Sequence, residues 1–134
     1  IPSTGTLTRY RPPSGDGIRV DDGYREGMEI PIHYDPMISK LIVHAPTRAE
    51  AIEKMKYAIQ QYDIEGVTTT LEFGEFAITH PAFRTGQFDT HFVEKYLQAF
   101  LQLEDKTNHT LARFAAWYHE KQKSILVLPE VVNK

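Results

Sequence analysis

The feature that most constrains the fold is an apolar stripe that directly follows a helix-capping signal. Thr47 is followed three residues later by Glu50, which is the spacing of a capping box. Apolar side chains then recur at spacings of three and four, at Ile52, Met55, Ile59 and Tyr62. This period places them on one face, so the sequence predicts an amphipathic helix that covers a core and ends before Gly66.

The residues before this helix are typical of short strands separated by turns. Residues 6–10 and 18–20 contain β-forming side chains, and residues 12–17 between them are rich in proline and glycine. Residues 29–34 form another extended piece that suits an edge strand because it contains a proline. Residues 37–43 are mostly apolar and contain no breaker, so they predict a strand that is buried on much of both faces.

Further elements are predicted after the capped helix. Residues 67–70 are all β-branched and predict a short strand, and residues 71–79 predict a second helix that stops before Pro81. A third helix should begin near residue 89 or 90. A polar break at residues 104–108 should separate it from a last amphipathic helix. Strands that precede helices predict an α+β fold.

The composition argues against several classes of function. The formal net charge is −3 and no dense basic stretch occurs, so the sequence does not indicate nucleic-acid binding. The chain has no cysteine, which excludes disulfides and thiolate metal sites. No apolar run approaches the roughly 20 residues that span a bilayer. Because the sequence begins at Ile1 and its first methionine is Met28, we expect a part of a longer protein.

The sequence chemistry predicts no catalytic residue and no metal ligand. The six histidines form neither an HxH nor an HxxxH pair, and no acid stands at the spacing of a zinc site. Gly15 and Gly17 form a GxG, but two prolines precede them and no helix follows. A turn is therefore a better interpretation than a phosphate-binding loop.

One segment is unusual for its charges. Asp35 stands at the start of the strand predicted over residues 37–43, and Lys40 stands inside it. A buried lysine is costly unless it is paired. Two interpretations stay open. Either Lys40 pairs with an acid such as Asp35 or reaches solvent along the strand, or both residues border a site that other segments complete.

This segment, Tyr34-Asp35-Pro36-Met37-Ile38-Ser39-Lys40-Leu41-Ile42, resembles the hallmark segment of the biotin carboxylase C-terminal domain. The resemblance continues in the right order from about residue 2 to residue 97. Other matching pieces are Leu7-Thr8-Arg9-Tyr10, Gly17-Ile18-Arg19-Val20-Asp21, Thr47-Arg48-Ala49-Glu50-Ala51-Ile52, Ile64-Glu65-Gly66-Val67 and Phe83-Arg84-Thr85-Gly86. The sequence of these pieces most resembles that of the α subunits of propionyl-CoA carboxylases.

The resemblance implies mostly antiparallel strands with packed helices. The family domain would occupy residues 1–97, and residues 98–134 would form a helical extension that could serve as an interface segment. The implied activity is that of an ATP-dependent ligase, which uses ATP and bicarbonate to carboxylate biotin on a carrier. In this family the groups that hold ATP, Mg²⁺ or Mn²⁺ and bicarbonate lie upstream, so this chain alone should hold no cofactor and be inactive.

The resemblance also implies partners. They are the N-terminal ATP-grasp part of the same subunit, a biotin carboxyl carrier protein and a carboxyltransferase subunit, with no nucleic acid and no membrane. The final acceptor would be propionyl-CoA or acetyl-CoA. The implied compartment is the bacterial cytoplasm or, in a eukaryote, the mitochondrial matrix. Two alternatives stay open: a fragment of a pyruvate carboxylase, and a non-catalytic interaction module.

Around the hallmark segment the resemblance implies an active-site wall or a subunit contact. The residues assigned to it are Tyr34, Asp35, Met37, Lys40 and Arg19. Two positions depart from the bacterial dimer contact, since Asp16 replaces an aromatic residue and Lys54 replaces an arginine. A carboxylate in place of a buried aromatic side chain removes apolar contact and adds a charge. We therefore expect a weakened bacterial-type dimer and a larger carboxylase assembly.

Overall fold

A computed structural model describes residues 4–31 and 37–125 of the chain, with the backbone alone for residues 117–125. The strands within this part are β1 Gly5–Thr6, β2 Arg9–Arg11, β3 Ile18–Asp22, β4 Glu29–Ile30, β5 Ser39–Val43 and β6 Asp63–Glu65. The helices are α1 Arg48–Gln61, α2 Leu71–Thr79, α3 Pro81–Thr85 and α4 Phe92–Ile125. The predicted α+β class is confirmed.

The strands pair as antiparallel two-stranded ribbons throughout the described residues. β1 pairs with β4, β2 with β6, and β3 with β5. The longest ribbon is β3–β5, in which the pairing runs from Ile18 opposite Val43 to Asp22 opposite Ser39. Because β6 follows α1 in the chain and pairs with β2, the helix connects the two ribbons β3–β5 and β2–β6.

Helix α1 is the predicted capped helix. The Thr47 hydroxyl accepts the Glu50 backbone N–H at 3.3 Å, and the Glu50 carboxylate accepts the Thr47 backbone N–H at 3.0 Å. These two bonds satisfy donors that a helix start leaves unpaired. Ile52 and Ile59 are buried and Tyr62 is only 8% exposed at the C-cap, so the predicted apolar stripe faces the interior.

The centre of the core is formed by Leu7 and Ile30, which are almost completely inaccessible to solvent. The Leu7 backbone N–H donates to the Met28 carbonyl at 2.9 Å, which holds the segment between β1 and β2 beside the start of β4. Contacts divide the chain into two compact units, Ile1–Asp89 and Thr90–Lys134. All three ribbons belong to the first unit, and α4 forms the described part of the second.

Two predicted strands have different positions in the structure. The strand predicted over residues 6–10 is interrupted between β1 and β2, where Leu7 turns into the core. The β-branched residues 67–70 form no strand, and the strand after α1 is β6. Strand formation depends on a partner edge, and β2 pairs with residues 63–65 instead.

The helical second half is more continuous than predicted. α4 begins at Phe92 and runs unbroken through residues 104–108, where a break was expected. These residues are polar but include neither glycine nor proline, so nothing in their backbone prevents a helix. α2 ends at Thr79 as predicted, and Pro81 then starts α3 because proline suits the first position of a helix.

Candidate functional site

The β3–β5 ribbon carries two of the residues assigned to a wall or contact, Arg19 and Lys40. Successive side chains of a strand point to opposite faces. One face of the ribbon is therefore partly covered, and the other is exposed. We call the exposed one the ribbon face, and it consists of Arg19, Asp21, Lys40 and Ile42. The prediction that residues 37–43 are buried on both faces was wrong, because only one face of this two-stranded ribbon packs inward.

Charges alternate on the ribbon face. Arg19 donates from Nη2 to Asp21 Oδ2 at 2.9 Å, with both side chains largely exposed. Lys40 stands directly opposite Asp21 in the register. Lys40 thus reaches solvent, as one of the two open interpretations held, and its charge carries no burial cost. An exposed pair of this kind contributes little to stability, so the face is better suited to contact than to support of the fold.

The segment that leads into β5 is only partly described. Met37 is 45% exposed, and Ile38 accepts the Gly23 backbone N–H at 2.9 Å through its carbonyl oxygen. This bond extends the ribbon by one step beyond the pair of Asp22 and Ser39. Tyr34 and Asp35 lie outside the described residues, so their assignment stays a prediction.

Asp16 and Lys54 lie near the opposite end of the ribbon. Lys54 reaches from α1 and donates from Nζ to the His44 carbonyl at 2.9 Å. A Cβ at Gly17 would lie 2.5 Å from this Nζ and 2.4 Å from the His44 oxygen, so only glycine fits here. Asp16 is exposed in the preceding turn. The two departures from the bacterial pattern thus lie together, and Lys54 is already bonded within its own chain.

Four polar side chains that sequence reasoning did not single out meet at the end of the ribbon where β5 begins. Tyr62 Oη lies 2.7 Å from Tyr10 Oη and 2.6 Å from Ser39 Oγ, and the Tyr10 hydroxyl also bonds the Asp22 carboxylate. The two tyrosine rings form an edge-to-face pair with centroids 5.9 Å apart. We call Ser39, Tyr62, Tyr10 and Asp22 the hydroxyl relay.

The relay also changes the acidity of one phenol. Burial raises the pKa of the Tyr10 phenol, and its hydrogen bonds to Asp22 and Tyr62 raise this pKa further. Tyr10 therefore keeps its donor proton up to a higher pH than an ordinary phenol would. The four residues come from β2, β3, β5 and the C-cap of α1. Because they are distant in sequence, no local pattern could have predicted that they meet.

Beside the relay lies an open pocket of about 800 Å³. Its lining includes Tyr10, Asp22, Arg25, Glu26 and Met28. Glu26 accepts the Tyr10 backbone N–H at 3.0 Å, so this carboxylate supports the wall of the pocket. The pocket is therefore lined by carboxylates, an arginine guanidinium and the edges of tyrosine rings.

The part of the chain that the structure describes also bears on metal and membrane sites. No group of three or more histidine, aspartate or glutamate side chains there could hold a metal ion. No helix there combines the length and the apolar character that a bilayer crossing requires.

A second contact joins two segments that carry the resemblance. Arg48, the first residue of α1, donates from Nη2 to the Phe83 carbonyl at 2.5 Å. Its guanidinium lies 5.0 Å from the centroid of the Phe83 ring, which stacks on Phe88. Arg84 pairs with Glu53 at 3.2 Å. These contacts hold the start of α1 against α3.

Comparison with known proteins gives consistent matches. The family model described as biotin carboxylase C-terminal domain matches residues 1–95. A pyruvate carboxylase subunit of Methanothermobacter thermautotrophicus is 50% identical over 95 residues, which are 71% of this chain and 19% of that protein. The propionyl-CoA carboxylase alpha chain of Ruegeria pomeroyi is 38% identical over 142 residues, covering 89% of this chain and 21% of that protein.

Solved structures agree with these relatives. The biotin carboxylase domain of 2-oxoglutarate carboxylase from Hydrogenobacter thermophilus, in complex with MgADP, ADP and bicarbonate, superposes with a TM-score of 0.71 at 40% identity. The match covers 74% of this chain and 22% of that one. The chain therefore spans about a fifth of the length of these three relatives.

Proposed function

The chain belongs to the biotin carboxylase C-terminal domain family, and on this premise we propose that it completes the biotin carboxylase subunit of an acyl-CoA carboxylase. The observation that carries the proposal is the family match over residues 1–95, in a fold that superposes on a biotin carboxylase domain. The full subunit would use ATP, Mg²⁺ or Mn²⁺ and bicarbonate to carboxylate biotin on a carrier protein.

Within that subunit we assign this chain the role of a wall and a contact surface. The ribbon face supports this role because it is exposed, charged and formed in part by residues of the hallmark segment. The groups that hold ATP and bicarbonate would be supplied by an upstream ATP-grasp part. The solved relative that contains MgADP and bicarbonate supports this division, since its chain is several times longer than the matched part.

The share of this chain that each relative matches bears on which molecule finally accepts the carboxyl group. The match to the propionyl-CoA carboxylase alpha chain covers 89% of this chain, whereas the match to the pyruvate carboxylase subunit covers 71%. The longer match supports an acyl-CoA acceptor, for which we propose propionyl-CoA or acetyl-CoA, with a carrier protein and a carboxyltransferase as partners. The 50% identity to the pyruvate carboxylase subunit favours pyruvate instead, which we keep as the second candidate.

The activity is tested with the full-length subunit. We expect bicarbonate-dependent ATP cleavage that free biotin stimulates, and no cleavage by residues 1–134 alone. ATP cleavage by this chain alone would contradict the assignment of the catalytic groups to the upstream part. A full-length subunit that free biotin does not stimulate would contradict the proposed function and favour a non-catalytic interaction module.

The acceptor is tested with the assembled carboxylase. Labelled bicarbonate is supplied with ATP and with propionyl-CoA, acetyl-CoA or pyruvate in separate reactions, and acid-stable label is counted. Label in an acyl-CoA supports the first candidate. Label in pyruvate alone would reject it in favour of the pyruvate carboxylase type.

A further inference from the structure

The hydroxyl relay converges on the residue at which β5 begins. Ser39 is the first residue of this strand, and its Oγ lies 2.6 Å from Tyr62 Oη. Tyr62 is 8% exposed, so this hydroxyl has little access to water. It depends on its neighbours for hydrogen bonds, because a buried polar group without a partner is costly.

The direction of the relay follows from its acid. An ionised carboxylate can only accept hydrogen bonds, so the Tyr10 hydroxyl donates to Asp22. The Tyr10 oxygen is then free to accept from Tyr62, and the Tyr62 oxygen can accept from Ser39. Every hydroxyl proton thus has one assigned acceptor. Such an ordered chain holds its end points more firmly than separate bonds would.

The relay and the ribbon fix the same strand end. Ser39 and Asp22 are the last cross-strand pair of β3–β5, and they also form the two ends of the relay. A slip of one residue in β5 would move Ser39 away from Tyr62 and turn Lys40 from the ribbon face to the covered face. The relay therefore disfavours slipped registers at the start of β5, within the hallmark segment.

We propose that the hydroxyl relay is a positioning device, which fixes the start of β5 and thereby holds Lys40 on the ribbon face, as part of the wall that the full subunit presents to biotin. This inference rests on the proposed function. The four relay residues act through the strand and do not touch the reactants, so they are positioning residues.

The test uses Ser39→Ala and Tyr62→Phe in the full-length subunit, with free biotin as the varied substrate. Each variant removes one hydroxyl from the relay. We expect the KM for biotin to rise about five- to tenfold while kcat stays within about twofold of the wild-type value. Ser39→Thr retains a hydroxyl and should return the KM to near the wild-type value. Tyr57→Phe is the matched control, since Tyr57 lies on α1 with its side chain 56% exposed.

The double variant makes the test sharper. Because both substitutions interrupt one chain of bonds, the KM of the double variant should match that of the more affected single variant. If the KM for biotin stays unchanged in both single variants, with only the melting temperature or kcat lowered, the relay is merely structural and the inference is overturned. If Tyr62→Phe does not fold, the comparison of Ser39→Ala with Ser39→Thr still decides.

The proposed function and this inference fail in different ways. A wild-type subunit without biotin-stimulated ATP cleavage rejects the proposed function, and the inference with it. A stimulated wild-type subunit whose relay variants keep the wild-type KM rejects the inference alone.

Discussion

Gly66 holds two chain segments closer together than any other residue would allow. Its φ is +100°, and a Cβ at this position would lie 1.9 Å from the Thr6 carbonyl oxygen. The Thr8 backbone N–H donates to the Glu65 carbonyl at 3.0 Å in the same place. Gly66 directly follows β6, so this close approach lets the end of β6 lie against the segment between β1 and β2.

Substitution of Gly66 should therefore be unusually costly. Gly66→Ala adds both a disfavoured positive φ and a collision with a backbone atom, and we expect the free energy of unfolding to fall by about 3 kcal/mol or more. Gly27→Ala is the control, because Gly27 has a φ of +85° and a Cβ added there would meet no atom within 4 Å. Its loss should be about 1 kcal/mol. Urea denaturation measures both, and equal losses would contradict the importance of the contact with Thr6.

Tyr10 gives the molecule a sensitivity to alkaline pH. Its folded-state pKa is raised above the value of about 10 expected for an unfolded chain. Below pH 9 both states keep the phenol proton, so this group adds no pH dependence. Above about pH 10 the unfolded chain releases the proton while the folded chain retains it, so the free energy of unfolding falls as pH rises.

The measurement is urea denaturation between pH 8 and pH 11. Tyr10→Phe should show a shallower decline in stability than the wild type, although its stability at pH 8 should be lower because the relay is shortened. Tyr57→Phe removes an exposed hydroxyl from α1 and serves as the control. Identical slopes for the wild type and Tyr10→Phe would contradict the raised pKa.

Among the secondary-structure elements, α1 has the strongest local determinants, and its cap can be tested directly. Thr47→Ala removes the hydroxyl that accepts the Glu50 N–H, so we expect a loss of about 1 kcal/mol in unfolding free energy. Thr70→Ala is a matched control, since Thr70 occupies the N-cap of α2 without a side-chain cap bond. The control should change stability by less than about 0.5 kcal/mol. Equal losses would show that the capping box does not stabilise α1.

The sequence predicted the elements whose determinants are local. α1 and α2 were predicted correctly because a capping box, an apolar period and a proline mark their limits. β6 was misplaced because β-branched residues at 67–70 are attractive strand formers, whereas the strand actually forms where β2 offers an edge. The exposure of Lys40 was also not readable, since an apolar run does not reveal which of its faces will be covered.

The candidate site was predictable only in part for the same reason. Arg19 and Lys40 were assigned by resemblance, and the register of β3–β5 explains why they share the ribbon face. The hydroxyl relay escaped prediction because Tyr10, Asp22, Ser39 and Tyr62 become neighbours only after three elements and a helix end have packed. Hydrogen bonds between side chains distant in sequence leave no period and no motif.

At the scale of the whole molecule, the sequence bears most directly on whether the subunit forms a dimer. Asp16 is exposed in the turn before β3, next to Gly17, at the position where the resemblance implies an aromatic residue in the bacterial dimer contact. Lys54 is bonded to the His44 carbonyl of its own chain and is only partly exposed. A charge and an already engaged amine at one end of the ribbon give a bacterial-type dimer little to bury.

This interpretation predicts that an aromatic side chain at position 16 increases self-association of the full-length subunit. Asp16→Phe removes one negative charge and adds apolar surface, so the dimer dissociation constant should fall about tenfold, which sedimentation equilibrium measures. Glu72→Phe makes a similar change at an exposed position of α2 and controls for nonspecific association through added apolar surface. If both variants strengthen self-association equally, the cause is nonspecific contact through the added apolar surface. No strengthening by Asp16→Phe would mean that this end of the ribbon lies outside any dimer contact, because an aromatic side chain buried there could not leave the equilibrium unchanged.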